Sequence, residues 1–188
     1  MRKVQREELL DYVTYDEQRA VLRVGAMAHK ERRRVHLGEH LTFLFENADT
    51  VRYQIQEMMR AERLVKEAEI AHELFTYTEL LGANGELGCT LLVEIPDEKK
   101  RDEFLRVWRE LPAHVYLRLE GGEKTYARYD KRQIGDDRLS SVQYLKFATG
   151  GRAPVAVGSD LSGLVVEATF TDEQRRTLAA DLGCVECE

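Results

Sequence analysis

The stretch from Leu41 to Leu81 constrains this chain more than any other part of it. It opens on Leu41-Thr42-Phe43-Leu44-Phe45, an apolar run that predicts a strand buried on both faces, and the run ends in Glu46-Asn47. Two helical segments follow, Thr50 to Glu62 and Lys66 to Leu81. At about 100° per residue, Val51, Ile55 and Met58 share a stripe roughly 60° wide, and Glu62 lands inside it. In the second segment Ile70, Leu74, Tyr77 and Leu81 form another stripe, with Glu73 at its edge. Drawn as one unbroken helix, the two stripes are out of phase by about 100°. One straight rod cannot bury both, so the spacing predicts a break near Leu64 to Ala68 and a helix pair.

Carboxylates on such faces carry a chemical implication. A charge among apolar neighbours costs several kcal/mol unless something pairs with it. The segment therefore implies a network, a metal site or a reactive group. Glu62 and Glu73 are expected to be substantially buried and paired with a cation, an arginine such as Arg52, Arg60 or Arg63 ahead of a metal. Glu69-Ile70-Ala71-His72 is a Glu-x-x-His on a helix, the spacing that carboxylate-bridged di-iron bundles use, though they need it twice. With His36 and His40 on the preceding strand, a candidate set of oxygen and nitrogen ligands is His40, Glu57, Glu62, Glu69, His72 and Glu73, suited to iron, manganese or zinc.

Around this stretch the pattern reads as α+β. Tyr15 to Arg34 spaces Val21, Val24 and Ala28 as an amphipathic helix, and Val35 to Glu46 reads as strand. Asp49 is the expected N-cap of the helix beginning near Thr50. After Gly82-Ala83-Asn84-Gly85 comes a strand from Leu87 to Ile95, then a helix from Pro96-Asp97 carrying Phe104, Trp108 and Leu111 and closed by Pro112. Gly121-Gly122 joins Val115–Leu119 to Lys124–Tyr129 as a hairpin. Val142 to Phe147 is a strand, and Gly158 to Gly163 is a turn between Val155–Val157 and the strand Leu164–Phe170. Thr171 with Gln174 matches a capping box for a last helix to Leu182, stopped by Gly183. The expectation is a single domain over residues 1–188, with a mostly antiparallel sheet, the helix pair on one side of it, and 183–188 as a flexible tail.

Composition removes several function classes. At 188 residues with 43% hydrophobic content the chain can bury a substantial core. A net charge of −6 argues against a general nucleic-acid surface. The one basic cluster, Lys30-Glu31-Arg32-Arg33-Arg34, is expected to complement a helix C-terminus in water. No apolar run approaches a membrane span and no signal peptide is evident, so a cytoplasmic location is expected. Three cysteines, Cys89, Cys184 and Cys187, do not make a disulfide framework. Cys184-Val185-Glu186-Cys187 follows a helix C-terminus rather than the N-terminus that lowers a thiol pKa, and Cys89 is read as core. Phosphate-binding loops and nucleophile elbows find no match.

The run His40-Leu41-Thr42-Phe43-Leu44-Phe45-Glu46-Asn47 resembles a bacterial family catalogued as domain of unknown function 3501, DUF3501. Asp49-Thr50-Val51, Gln54-Ile55-Gln56-Glu57-Met58, Arg60-Ala61-Glu62, Glu73, Tyr77 and Glu94-Ile95 continue the likeness, as does Leu139-Ser140-Ser141-Val142-Gln143-Tyr144-Leu145-Lys146-Phe147. The resemblance implies no particular reaction. It does imply a setting, because genes of this family stand beside those of rubrerythrin-like proteins and iron–sulfur proteins of the heterodisulfide-reductase type. The expectation is an accessory protein of a redox or oxidative-stress system acting through such partners, with a metal-binding protein or metal-dependent enzyme on the Glu/His set as the alternative.

Overall fold

The computed structural model describes residues 2–183 and builds them in three layers, helices on a sheet on a second sheet. The helices are α1 (Tyr12–Glu31), α2 (Ala48–Glu62), α3 (Glu67–Thr78), α4 (Glu98–Val107), α5 (Leu111–His114) and α6 (Asp172–Leu182). The strands are β1 (Arg34–Leu37), β2 (Leu41–Glu46), β3 (Glu86–Val93), β4 (Val115–Leu119), β5 (Lys124–Tyr126), β6 (Arg128–Tyr129), β7 (Val142–Ala148), β8 (Pro154–Leu161) and β9 (Leu164–Thr169). One sheet runs β1-β2-β3-β7-β6 and the other β5-β4-β8-β9, antiparallel throughout. The chain crosses from the second sheet to the first at Ala127, whose N–H donates to the Val115 carbonyl at 3.0 Å.

Strand parity divides the interior. Phe43 and Phe45 of β2, Cys89 and Leu91 of β3, and Leu145 and Phe147 of β7 point to the second sheet and meet Leu117 and Val157 in the main core. The opposite face of the first sheet carries Leu44, Thr90 and Tyr144 in one cross-strand row and Thr42, Leu92 and Val142 in another. Helices cover that face, and Val51, Ile55, Met59 and Ile70 form a second core beneath them.

The expected break between α2 and α3 is present. Arg63 caps α2 in the left-handed region, at φ 53°, and α3 begins four residues later. Several expectations shift. Val35–Glu46 is a hairpin of two strands rather than one, because Gly38 at φ 64° turns the chain. Asn47, not Asp49, caps α2; its side chain accepts from the N–H groups of Asp49 and Thr50. Pro112 opens α5 instead of closing α4, consistent with its missing N–H at a first turn. β8 runs straight through Gly158, where a Cβ would sit 2.6 Å from the Tyr116 ring, so that glycine serves a close approach and the turn lies nearer Gly163. Residues 184–188, with the Cys184/Cys187 pair and nearly all of the expected tail, lie outside the described residues.

Arg33 overturns the reading of the basic run. Its guanidinium is buried and bound bidentately to Asp181 of α6 at 2.7 and 2.8 Å, and it also donates to the His29 carbonyl. The folded chain there joins the segment just after α1 to the last helix, a contact between positions 148 residues apart in sequence.

Candidate functional site

The six expected metal ligands do not converge. Glu57 is held by Arg19, which donates from Nε and Nη2 at 2.8 Å each, and by the Tyr15 hydroxyl at 2.6 Å. Arg19 holds this carboxyl below the usual carboxylate range. Glu69 receives the ammonium of Lys66, the N-cap residue of its own helix, at 2.9 Å. Glu62 and His72 are exposed and Glu73 is half-buried; neither Glu62 nor Glu73 has an ion-pair partner among the described residues. The expectation that both are buried and paired is therefore corrected. Glu62 is the last residue of α2, so the stripe it belongs to runs out beyond the core at that point. His40 sits away from the helix pair, at the β1–β2 turn against the rings of Phe104 and Trp108, 5.5 and 6.1 Å between centroids. Among the described residues no group of three or more His, Cys, Asp or Glu side chains is placed to hold a metal ion.

A second carboxylate, Glu46, is buried away from any ion pair among the described residues. It lies at the end of β2 with 6% of its surface exposed, and it accepts from the hydroxyls of Thr50 at 2.5 Å and Thr90 at 2.7 Å. The capping of α2 places Thr50 there: Thr50 Oγ1 accepts the Asn47 N–H at 3.0 Å while Asn47 Oδ1 accepts from the Thr50 N–H. Glu46 shares a cavity of about 250 Å³ with Lys30 of α1, Gln54 of α2, Tyr77 of α3, and Thr90 and Tyr144 of the sheet. Leu44, Leu80, Leu92 and Val142 supply its apolar wall.

Lys30 is the unusual member. It is partly buried, its ammonium stands 5.0 Å from the Tyr53 ring centroid, and no carboxylate lies within ion-pair distance among the described residues. Burial pushes its pKa down, against the field of Glu46. Burial likewise raises the Tyr77 hydroxyl. Tyr77, Leu80 and Tyr144 also wall a neighbouring groove of about 650 Å³ that carries Arg128, Arg132, Lys146 and Tyr129. A wider surface depression of about 1110 Å³ beside α4 is less suggestive, since its Asp102, Asp137 and Arg138 are occupied with one another and with Arg106.

Sequence reasoning missed Lys30 and Glu46 as a pair. A signal existed for Glu46: it has the parity of Thr42 and Leu44 on a strand read as buried on both faces, so its side chain had to enter the helix–sheet interface. Nothing local marks Lys30, which sits in a basic run.

Cys89 is buried in the main core and its thiol is pushed well up, first by burial and then by Glu46. It behaves as a small core residue rather than a reactive thiol.

The fold and these sites define a single α+β layered protein with a small, partly open cavity of mixed lining between helices and sheet. The chain belongs to the family described as a protein of unknown function, DUF3501, whose model matches residues 3–182. It is similar to a crystal structure of a novel protein of unknown function from Burkholderia pseudomallei K96243, at 30% identity over 96% of this chain and 100% of the other, with a TM-score of 0.89. No curated protein matches the chain. No helix among the described residues is long and apolar enough to cross a membrane.

Proposed function

We propose that the protein is a cytoplasmic accessory protein of a redox or oxidative-stress system that works by docking to other proteins, rubrerythrin-like and iron–sulfur proteins being the partners. The observation that carries the docking part is α1. Of its twenty residues only Tyr15 is fully buried, and Val13, Val21 and Val24 stand on the face away from the protein, Val21 at 79% and Val24 at 71% exposed. A helix that is apolar on the outward side as well as the packed side is suited to a protein contact. The redox setting rests on the gene neighbourhood of the family. Pull-down with the full chain is expected to enrich rubrerythrin-like and iron–sulfur partners, and a Val21→Glu/Val24→Glu variant is expected to lose that enrichment while keeping its circular dichroism. Absence of enrichment with the unaltered chain would overturn the reading.

The metal-dependent alternative draws no support from the placement of His40, Glu57, Glu62, Glu69, His72 and Glu73. Elemental analysis of untagged protein decides it directly: stoichiometric iron, manganese or zinc that vanishes in Glu62→Ala/Glu73→Ala would restore it.

A further inference from the structure

The geometry points to Lys30 as a nucleophilic amine that takes small carbonyl compounds into the cavity between the helices and the first sheet, forming a reversible imine. This is independent of the α1 docking face.

Three observations carry it. The first is size: Lys30 lines a partly open cavity of about 250 Å³, smaller than the roughly 300–1,000 Å³ of a drug-sized pocket and matched to a carbonyl compound of a few carbons. The second is the absence of a neutralising partner. Arg33 and Arg19, by contrast, are each tied to a carboxylate, Arg33 to Asp181 and Arg19 to Glu57. Lys30 has an aromatic ring at 5.0 Å and, further off, Glu46, whose oxygens are already engaged by two threonine hydroxyls. The third is the wall. Apolar Leu44, Leu80, Leu92 and Val142 can cover an alkyl group, while Gln54, Tyr77 and Tyr144 offer polar atoms at the other side.

The chemistry balances within those groups. The neutral amine nitrogen attacks the carbonyl carbon, and the carbonyl π pair moves to oxygen. The carbinolamine then loses that oxygen with the two amine protons as water, leaving a carbon–nitrogen double bond; water reverses the step. No oxidant or reductant is needed. Amine reactivity requires the unprotonated form, and burial, which lowers the Lys30 pKa, favours it. The charges acting on Lys30 are Glu46 and Glu57, which oppose this, and Arg34 and Arg23, which favour it.

The test is reductive trapping. The full chain is incubated with propanal and sodium cyanoborohydride at pH 7, and alkylated lysines are mapped by peptide mass spectrometry over time. Lys30 is expected to be modified several-fold faster than Lys99, which is exposed on α4. A Val142→Phe variant, which narrows the cavity without touching Lys30, is expected to slow Lys30 and leave Lys99 unchanged. Modification of Lys30 no faster than Lys99 in the unaltered chain would overturn the proposal, as would a Lys30 rate in folded Val142→Phe equal to that of the unaltered chain.

Discussion

Glu57 and Glu62 sit five residues apart on one helix and show how position decides what a carboxylate contributes. Glu57 is held by Arg19 and by the hydroxyl of Tyr15, a residue only 1% exposed. Removing it as Glu57→Ala strands that buried hydroxyl, at a cost of about 1–3 kcal/mol. Glu62, at the end of α2 with no ion-pair partner, is expected to change stability by no more than about 0.5 kcal/mol on Glu62→Ala. Denaturant midpoints of the two variants test the contrast. The same pairing gives a pH dependence. The Glu57 pKa is lower in the folded chain than in the unfolded one, first because Arg19 donates to it. Its contribution is therefore complete above the ordinary carboxylate value and is lost as the pH falls through the lowered folded value. Stability measured from pH 7 downward should fall less steeply through that acid window in Glu57→Gln than in the unaltered protein; equal slopes would refute the assignment. Glu57 was legible as a charge needing a partner. Which cation would meet it was not, because Arg19 lies 38 positions away on another helix.

At the scale of elements, α6 is the piece whose attachment can be tested most directly. Its capping box is readable from Thr171 and Gln174, and both reciprocal bonds form, at 3.2 and 2.9 Å. Besides Leu178 and Leu182 in the main core, it is fastened by Asp181 on Arg33, with 9% and 7% of these side chains exposed respectively, aided by the Asn47 amide at 3.3 Å from Asp181. Asp181→Ala leaves the guanidinium buried and unpaired and is expected to cost about 3–5 kcal/mol, whereas replacing both partners by Arg33→Met/Asp181→Leu is expected to recover most of that loss. Chemical denaturation of the single and double variants measures it. A small effect of Asp181→Ala would mean that Arg33 finds water or another acceptor. The α2–α3 break was likewise readable, from the phase of Val51 and Ile55 against Ile70 and Leu74, because helical periodicity is a local property.

For the whole molecule, the approach of the helix layer to the first sheet depends on one small residue. Gly88 lies between Glu46 and Lys146 in the cross-strand register, and a Cβ there would come within 1.8 Å of the Leu80 carbonyl oxygen. The segment leaving α3 rests directly on the strand at that point. Gly88→Ala must displace backbone, with an expected loss of about 1–3 kcal/mol or more. It should also open the cavity, since Leu80 is part of its wall. Thermal unfolding reads the first effect. The trapping rate at Lys30 reads the second.

Local pattern alone determined the α+β class, the helix pair, the Gly121-Gly122 hairpin and the capped last helix, because each depends on residues within a few positions of one another. The tertiary structure alone decided that the strands divide into two sheets, that Arg33 is buried against Asp181, and that Lys30 and Glu46 share a cavity. The reason is physical. Periodicity states which face of an element is buried, but the partner across that face comes from elements far away in sequence, and the same apolar face is satisfied by either sheet or helix.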